Sequence, residues 1–392
     1  MKHGWPLKQV GELFDVQLGK MLSPKAKEGE QLPYLANFNV QWGKFNLENV
    51  KSMNFTESEK EKYALTRGDI LMCEGGEVGR CAIWNERSTN FYYQKALHRL
   101  RPKDKDTINP YFMCIYMEHV TANNGVTKIV GETSIAHLTR EKLCALKIPC
   151  PSKEQQDKIV KIIRTWDAVI DKTERLIAAK EKQFKWLLKR LISDQQDNPK
   201  WQKRKLGDVA WVAKKKPMQN LSDRKLLTVK LHCLGIAINK TSFNPRINPK
   251  GRPYFERKKG ELLIGRQNFH NGGFGIVPIE LDGYIASNAV TSINLNLDRL
   301  NTDFLFYSFS RTNYYKKIGH VMDGTGQKEL SDRQILHLSF FVPPLSQQKQ
   351  IAQTLNAAKQ EIALFKSLAQ RYRMQKRGLI QKLLTGEWRI KR

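Results

Sequence analysis

The 392-residue sequence is short of acid. It holds 38 Asp plus Glu against 67 Lys plus Arg, a formal balance of +29 at pH 7. Such an excess repels itself in a compact fold unless an anionic partner offsets it, and nucleic acid is the leading candidate. Long apolar runs are also missing. None approaches the ~18 residues a membrane-spanning helix needs, and the opening MKHGWPLKQV lacks the apolar core of a signal peptide. The expected compartment is the cytoplasm, with no membrane partner. The six cysteines (Cys73, Cys81, Cys114, Cys144, Cys150, Cys233) contain no pair at zinc-site spacing, and the eight histidines form no metal-binding pair on a helix face. Free thiols and no metal are expected. No phosphate-cradling loop ends in Gly-Lys-Ser/Thr, and the Gly-rich EGGEVGR (74–80) and NGGFG (271–275) lack dinucleotide spacing and read as turns. No Ser-His-Asp, Cys-His or paired-carboxylate constellation stands out. The expectation is a chain without catalytic residues or a cofactor of its own.

What the sequence does have is a second copy of itself. QQDKI (155–159) returns as QQKQI (347–351), 192 positions on. The same offset relates RGDIL (67–71) to KGELL (259–263), NPYF (109–112) to NTDF (301–304), and LTREKLCAL (138–146) to LSDRQILHL (330–338). Near the start, Trp5 with VGEL (10–13) matches Trp201 with LGDV (206–209) at an offset of 196. Matches held to nearly one offset mean a tandem duplication, with a period of domain size. NPYF is one proline short of an adenine-methyltransferase signature, and a helix start accounts for both it and NTDF.

Each copy divides in two. Residues 1–150 and 199–343 are mixed, with short β-like runs (DILMC, CAIW, LLTVKLHCL, GIVPI), Gly-rich turns and a few short helices. Residues 151–198 and 344–392 read as long helices behind prolines, with Ser152 and Ser346 as N-cap candidates. Steps of four and three give Ile159, Ile163, Trp166, Ile170, Thr173, Ile177, Lys180, Phe184, Leu187 and Leu191. The second helix gives Ile351, Leu355, Ala358, Ile362, Phe365, Ala369, Tyr372, Lys376, Leu379 and Leu383. These are a and d positions of a heptad. Packing on each helix's own domain is one reading. A length of about 40 residues, or ~60 Å, favours the other, an intramolecular coiled coil that holds the two mixed domains apart. The expected fold is α+β: two similar β-containing domains separated by two paired helices. The glutamines of QQDKI and QQKQI read as solvated helix surface with no role. From 346 to 392 there are 11 Lys plus Arg and 2 acidic residues, a basic run that solvent, phosphate or an acidic partner would suit.

A duplicated domain followed each time by a long helix on a basic chain resembles the specificity subunits of type I restriction–modification systems. The resemblance rests on the opening of each repeat, on RGDILM followed by Gly-rich turns, and on the junctions LCALKIPCPSKEQQDKI and LHLSFFVPPLSQQKQI. It rests also on the closing LIQKLLTGEWRIK. It implies two target-recognition domains, each reading half of a split double-stranded DNA site. It implies helices that pair antiparallel as a coiled coil, act as spacer and dock two methyltransferase subunits, which bind S-adenosylmethionine and methylate adenine. Restriction/translocase subunits using ATP and Mg would join them. The alternative is a stand-alone nucleic-acid-binding scaffold that dimerises through its helices.

Equivalent loops should carry different letters for different half-sites. After the first strand, QLGKMLSPK faces VAKKKPMQN, pairing Lys20 with Lys216 beside Lys214 and Lys215 as phosphate-contact candidates, with a solvated basic loop as the alternative. After GDILM and GELLI, Glu74 meets Arg266, followed by Gln267, Asn268 and His270. Arg suits guanine, Gln and Asn suit adenine, and Glu accepts from cytosine. Arg80, Gln94 and Lys95 in the first domain and Arg224, Lys225 and Asn288 in the second complete the DNA-binding candidates.

Overall fold

The computed structural model describes residues 4–21, 28–86, 90–123, 125, 137–221, 224–239, 252–319 and 329–388. The chain forms two compact units that do not follow chain order: residues 1–173 with 368–392, and residues 174–367. Each unit thus takes part of both long helices, whereas the sequence divided the chain at the helix starts.

Both units are built on the same sheet. In the first, four antiparallel strands lie in the order Phe14–Leu18, Leu97–Pro102, Ile70–Cys73, Cys81–Ile83. In the second the order is Ala210–Val212, Val290–Leu295, Leu262–Gly265, Phe274–Ile276. Unbroken apolar runs suit such strands because both faces are covered. Ile70 and Met72 point into a core shared with the helices, while Leu71 and Cys73 point into a separate outer core with Trp84 and Tyr93. Leu262 and Ile264 face the helix side of the second unit and Leu263 the other. A two-stranded pair closes each base: Leu7–Gln9 with Lys147–Pro149, and Gln202–Lys205 with Ser339–Val342. The outer parts differ. The first unit adds a three-stranded sheet (Lys51–Phe55, Glu30–Leu35, Tyr92–Tyr93). The second has two separate pairs, Leu227–Val229 with Ile236–Ile238 and Tyr254–Glu256 with Ile285–Ser287.

NPYF and NTDF are helix starts. The Asn109 side chain accepts from the Tyr111 amide ahead of the helix Pro110–Ala122, and Asn301 accepts from the Phe304 amide ahead of Thr302–Phe309 (each 2.9 Å). The long helices are Lys153–Leu191 and Leu345–Thr385. Ser152 caps the first, its Oγ accepting from the Gln155 amide at 3.4 Å. Ser346 does not cap the second. That helix begins at Leu345, so Ser346 lies in its first turn, and the Pro344 carbonyl accepts from the amides of Gln347 and Gln348.

All twenty ladder positions are fully or partly buried. Between 164 and 187 the sole other residue that is not exposed is Glu181. In the first unit Ile159 and Ile163 share a core with Leu379, Ile380, Leu383 and Leu384, and the Trp166 ring meets Tyr372 edge-on at 5.9 Å. Numbers rise along one helix as they fall along the other, so the pairing is antiparallel. In the second unit Phe184, Leu187 and Leu191 pack with Ile351 and Leu355. Lys180 pairs with Glu361 at 2.9 Å, and Lys366 with Glu181 at 2.6 Å.

The second glutamine of each Gln-Gln pair overturns the solvated-surface expectation. Gln156 is 0 % exposed and Gln348 1 %. Gln156 Oε1 accepts from the Asn109 amide (2.8 Å), and its Nε2 donates to the carbonyls of Thr107 and Pro151 (2.9 Å each). Gln348 repeats this on Asn301 (2.8 Å), Arg299 (3.0 Å) and Pro343 (2.9 Å). A buried side-chain amide needs such partners, and the surrounding backbone offers one donor and two acceptors, which a glutamine matches.

Candidate nucleic-acid interface

The turns after the strands Ile70–Cys73 and Leu262–Gly265 hang on one backbone frame. The Glu74 amide donates to Ala96 O, and Glu74 O accepts from the Leu138 amide, both at 2.9 Å. The Arg266 amide donates to Ala289 O at 3.1 Å, and Arg266 O accepts from the Leu330 amide at 3.0 Å. Glu74 and Arg266 are therefore equivalent, as their spacing implied, and both are half-buried.

In the first unit the frame gathers four candidates. Ala96 has φ 111°, a conformation costly for a non-glycine residue. It follows Gln94 and the exposed Lys95, whose amide donates to Lys20 O at 2.6 Å. Lys20 does not offer a free ammonium. It is 7 % exposed, and its Nζ donates to Glu59 (2.6 Å) and Asn54 O (2.7 Å). That pair holds the Glu59 carboxyl below its usual range against an opposing burial effect. Arg80 is likewise engaged. It donates to Asn37 O (3.0 Å) and Oδ1 (2.7 Å) and pairs with Glu77 (3.1 Å), which also receives the Trp42 indole N–H at 2.6 Å. The arginine braces the Gly-rich turn from within, so a base contact is not what its geometry supports.

In the second unit Arg266, Gln267, Asn268 and His270 lie on one turn, and Asn288 joins them through Ala289. Arg266 Nε donates to Leu330 O at 3.0 Å, and Nη2 lies 3.5 Å from Glu329, leaving the guanidinium anchored at one edge. Asn268 is exposed, and among the described residues the buried Nδ1 of His270 has no hydrogen-bond partner. Gly272 and Gly273 are required here: a Cβ on Gly273 would stand 2.7 Å from Asn268 O, and Gly272 has φ +72°. Beneath Asn288, the Arg257 guanidinium is buried and donates to Ser287 O (3.2 Å) and Val290 O (2.8 Å), and burial pushes its pKa down to about 10.

The basic loop behaves differently from its alignment. Lys214 and Lys216 are exposed, but Lys215 repeats the task of Lys20, donating to Glu256 O (2.7 Å) and pairing with Glu261. Arg224 is exposed and donates to Gly283 O at 3.3 Å, and Lys225 is exposed beside it. No described hydrogen bond or ion pair ties Lys214, Lys216 or Arg224 to the Arg266 turn. Residues 22–25 of the first loop lie outside the described residues.

Sequence reasoning missed the neighbouring turn at His232 and Cys233. Both have φ 57°, and their amides donate to Asn271 O (2.7 Å) and Gly272 O (2.9 Å). His232 is exposed, and Leu234 is 69 % exposed. No residue pattern announces a left-handed His-Cys pair. All six cysteines are free thiols, and among the described residues no cluster of His, Cys, Asp or Glu could hold a metal ion. Among them, too, no helix is long and apolar enough to cross a membrane.

A family model described as the type I restriction modification DNA specificity domain matches residues 2–181 and again 198–371. The chain belongs to this family. The putative type I restriction enzyme MjaX specificity subunit of Methanocaldococcus jannaschii is 22 % identical, with 99 % of this chain and 94 % of that protein covered. The MjaVIII specificity subunit of the same organism is 23 % identical over 99 % of this chain and 93 % of its own length. Among solved structures, the S subunit of a type I restriction–modification system from M. genitalium superposes with a TM-score of 0.59 at 17 % identity, covering 98 % and 96 % of the two chains. A chain from a study of type I system assembly and conformational transition gives 0.62 at 14 %, covering 97 % of each. At these identities the likeness speaks for the specificity-subunit fold.

Proposed function

We propose that this chain is the non-catalytic subunit that reads a bipartite DNA target, one half-site per unit, and directs adenine methylation and restriction by partner subunits. The supporting observation is that the specificity-domain match falls twice on the chain, on two units that share a sheet and differ outside it. Different half-sites call for a common scaffold with unlike reading surfaces. Affinity comes mainly from lysines and arginines that neutralise phosphate and release counterions, so binding weakens steeply with salt. The methylated adenine must leave the stack, and a partner's pocket receives it.

Two methyltransferase subunits carrying S-adenosylmethionine dock on the helices, and restriction/translocase subunits supply ATP and Mg chemistry, in the cytoplasm. Trp186 (59 % exposed), Leu364 (65 %) and Met374 (60 %) are apolar outward positions on the helices that suit such docking. The helices act as a coiled-coil spacer that sets the gap between half-sites. The rival scaffold, dimerising through an open seam, is disfavoured because seam residues are covered within each unit.

The test is methylome sequencing of cells expressing the chain with its cognate modification subunit. A split, adenine-methylated motif that vanishes with this chain supports the reading. An assembled complex that adds no methylation overturns it. Inserting four helical residues after Ala178 adds ~6 Å of helix and should lengthen the gap by one or two base pairs with both half-sites unchanged. Altered half-sites at an unchanged gap contradict the spacer role.

A further inference from the structure

The Gln-Gln signature occurs twice, and in each unit its second member does one thing. It ties the first turn of a long helix to the loop that starts the domain helix Pro110–Ala122 or Thr302–Phe309. Three groups are held each time: the amide of the capping asparagine (Asn109, Asn301), the carbonyl two residues before it (Thr107, Arg299), and the proline carbonyl at the helix entry (Pro151, Pro343). Other ties at the two roots differ. Asn109 Nδ2 donates to Asp157 at 2.6 Å, where position 349 of the second copy is a lysine. Asn356 bridges Tyr307 (2.6 Å) and Asp303 (2.8 Å) in the second unit. Apolar packing is common to both roots, and among the described hydrogen bonds the glutamine's are the ones both roots share.

Its position gives it leverage. From Gln156 to Thr173 the helix runs roughly 25 Å at 1.5 Å per residue. A tilt of about 10° at the root would move the far end by roughly 4 Å, more than one base-pair step of about 3.4 Å. We infer that Gln156 and Gln348 are positioning residues that lock each domain to its helix and thereby hold the gap between half-sites to a single length. The inference rests on the bipartite reading proposed above. It adds that the gap is set at the roots of the helices as well as by their length.

The test uses the full chain assembled with its cognate modification subunit. The substrates are duplexes carrying the two half-sites at the native gap and at gaps one and two base pairs shorter or longer. Gln156→Met and Gln348→Met keep the side-chain volume and remove the hydrogen bonds. Each variant should lose at least tenfold in discrimination between the native gap and its neighbours, with both half-sites still required, and the double variant should lose more. Amide exchange at Asn109 or Asn301 should accelerate at least tenfold in the matching variant, while amides of the central sheet keep their protection. Freed amides with unchanged gap discrimination overturn the inference, as does a uniform loss of methylation at every gap. Should a variant fail to fold, exchange in the unaltered chain decides. Protection of Asn109 and Asn301 equal to that of core amides supports the joint, and loop-like exchange overturns it. An unaltered complex that methylates no split site rejects the bipartite reading, a result separate from the exchange data.

Discussion

Glu74 and Arg266 occupy one place in two copies of a frame, and they carry opposite charge. Their backbone amides and carbonyls make the same bonds to the same neighbours, within 0.2 Å. The residues beyond them diverge. The first unit continues through Gly75 and Gly76 into a turn braced by Arg80, while the second continues through Asn268 and His270 to Gly272 and Gly273. Duplication has preserved where a side chain stands and released which side chain it is. A surface built this way can change its outward side chains without rebuilding its core, because the frame's bonds are main chain to main chain.

Exchanging the letters is the strongest way to break that comparison. Arg266→Glu places an anion where the proposed reading surface of the second unit carries a cation. A bidentate base contact is worth about 1–3 kcal/mol, and a like charge against phosphate adds to the loss. Affinity for the native target should fall by more than about 100-fold at fixed salt, read by fluorescence anisotropy at a temperature where both proteins are folded, since loss of the Leu330 and Glu329 contacts also lowers the thermal midpoint. Glu74→Arg should raise non-specific affinity and blur the other half-site. Binding by Arg266→Glu within threefold of the parent would remove this turn from the interface.

The frame was legible in sequence because its determinants are local. Apolar runs such as Ile70–Cys73, helix-start asparagines at 109 and 301, and the four-and-three ladder each need a short window, and a repeated offset checks one copy against the other. The site was less legible because its determinants are distant. Lys20 finds Glu59 39 residues away, and Arg80 finds Asn37 43 away. A loop lysine drawn inward looks, in sequence, like one drawn outward. Gln156 failed for the same reason, since its partners Thr107 and Asn109 lie far back in the chain. Ala96, His232 and Cys233 adopt positive φ with no glycine to signal it.

The helix pairing offers a second contrast between units, of intermediate size. In the first unit the seam position Lys376 lies between Asp167 (2.8 Å) and Glu118 (3.3 Å). Burial opposes its charge, but the two carboxylates outweigh burial and raise its pKa. In the second unit Glu361 is the one carboxylate paired with Lys180 among the described residues. Lys376→Glu would crowd three carboxylates in a half-buried site and should cost about 2–4 kcal/mol. Lys180→Glu should cost about 1 kcal/mol, because its pair is more open to solvent. Urea unfolding followed by amide exchange in each unit separates the two. Equal losses would mean that the third charge at the first seam contributes nothing.

The smallest contrast is set by pH. His98 and Thr291 are equivalent, each paired across the sheet to the matching strand residue, Met72 and Ile264. Thr291 donates to Asp332 at 3.1 Å and does not titrate near neutrality. His98 is fully buried, with Nε2 2.8 Å from Leu138 O and, among the described residues, no partner for Nδ1. Burial lowers its pKa, and the Leu138 bond only partly opposes that. The folded first unit therefore keeps His98 neutral, with Nε2–H donating to the carbonyl. In the unfolded chain the imidazole takes up its proton near pH 6.5. As pH falls below that value the unfolded state binds the proton first, and stability present at neutral pH is lost as the folded pKa is approached. The slope is at most ~1.4 kcal/mol per pH unit for one proton. His119, also lowered by burial and by Arg377, adds to the trend in the same unit, so the difference made by a single substitution is the quantity to read. His98→Gln keeps a donor and removes the titration. Its unfolding free energy should depend less on pH between 7 and 5 than the parent's, with the change confined to amides of the first unit. An identical pH dependence in parent and variant would mean that His98 accepts its proton in place, and that Leu138 with nearby Glu74 and Glu141 offsets burial.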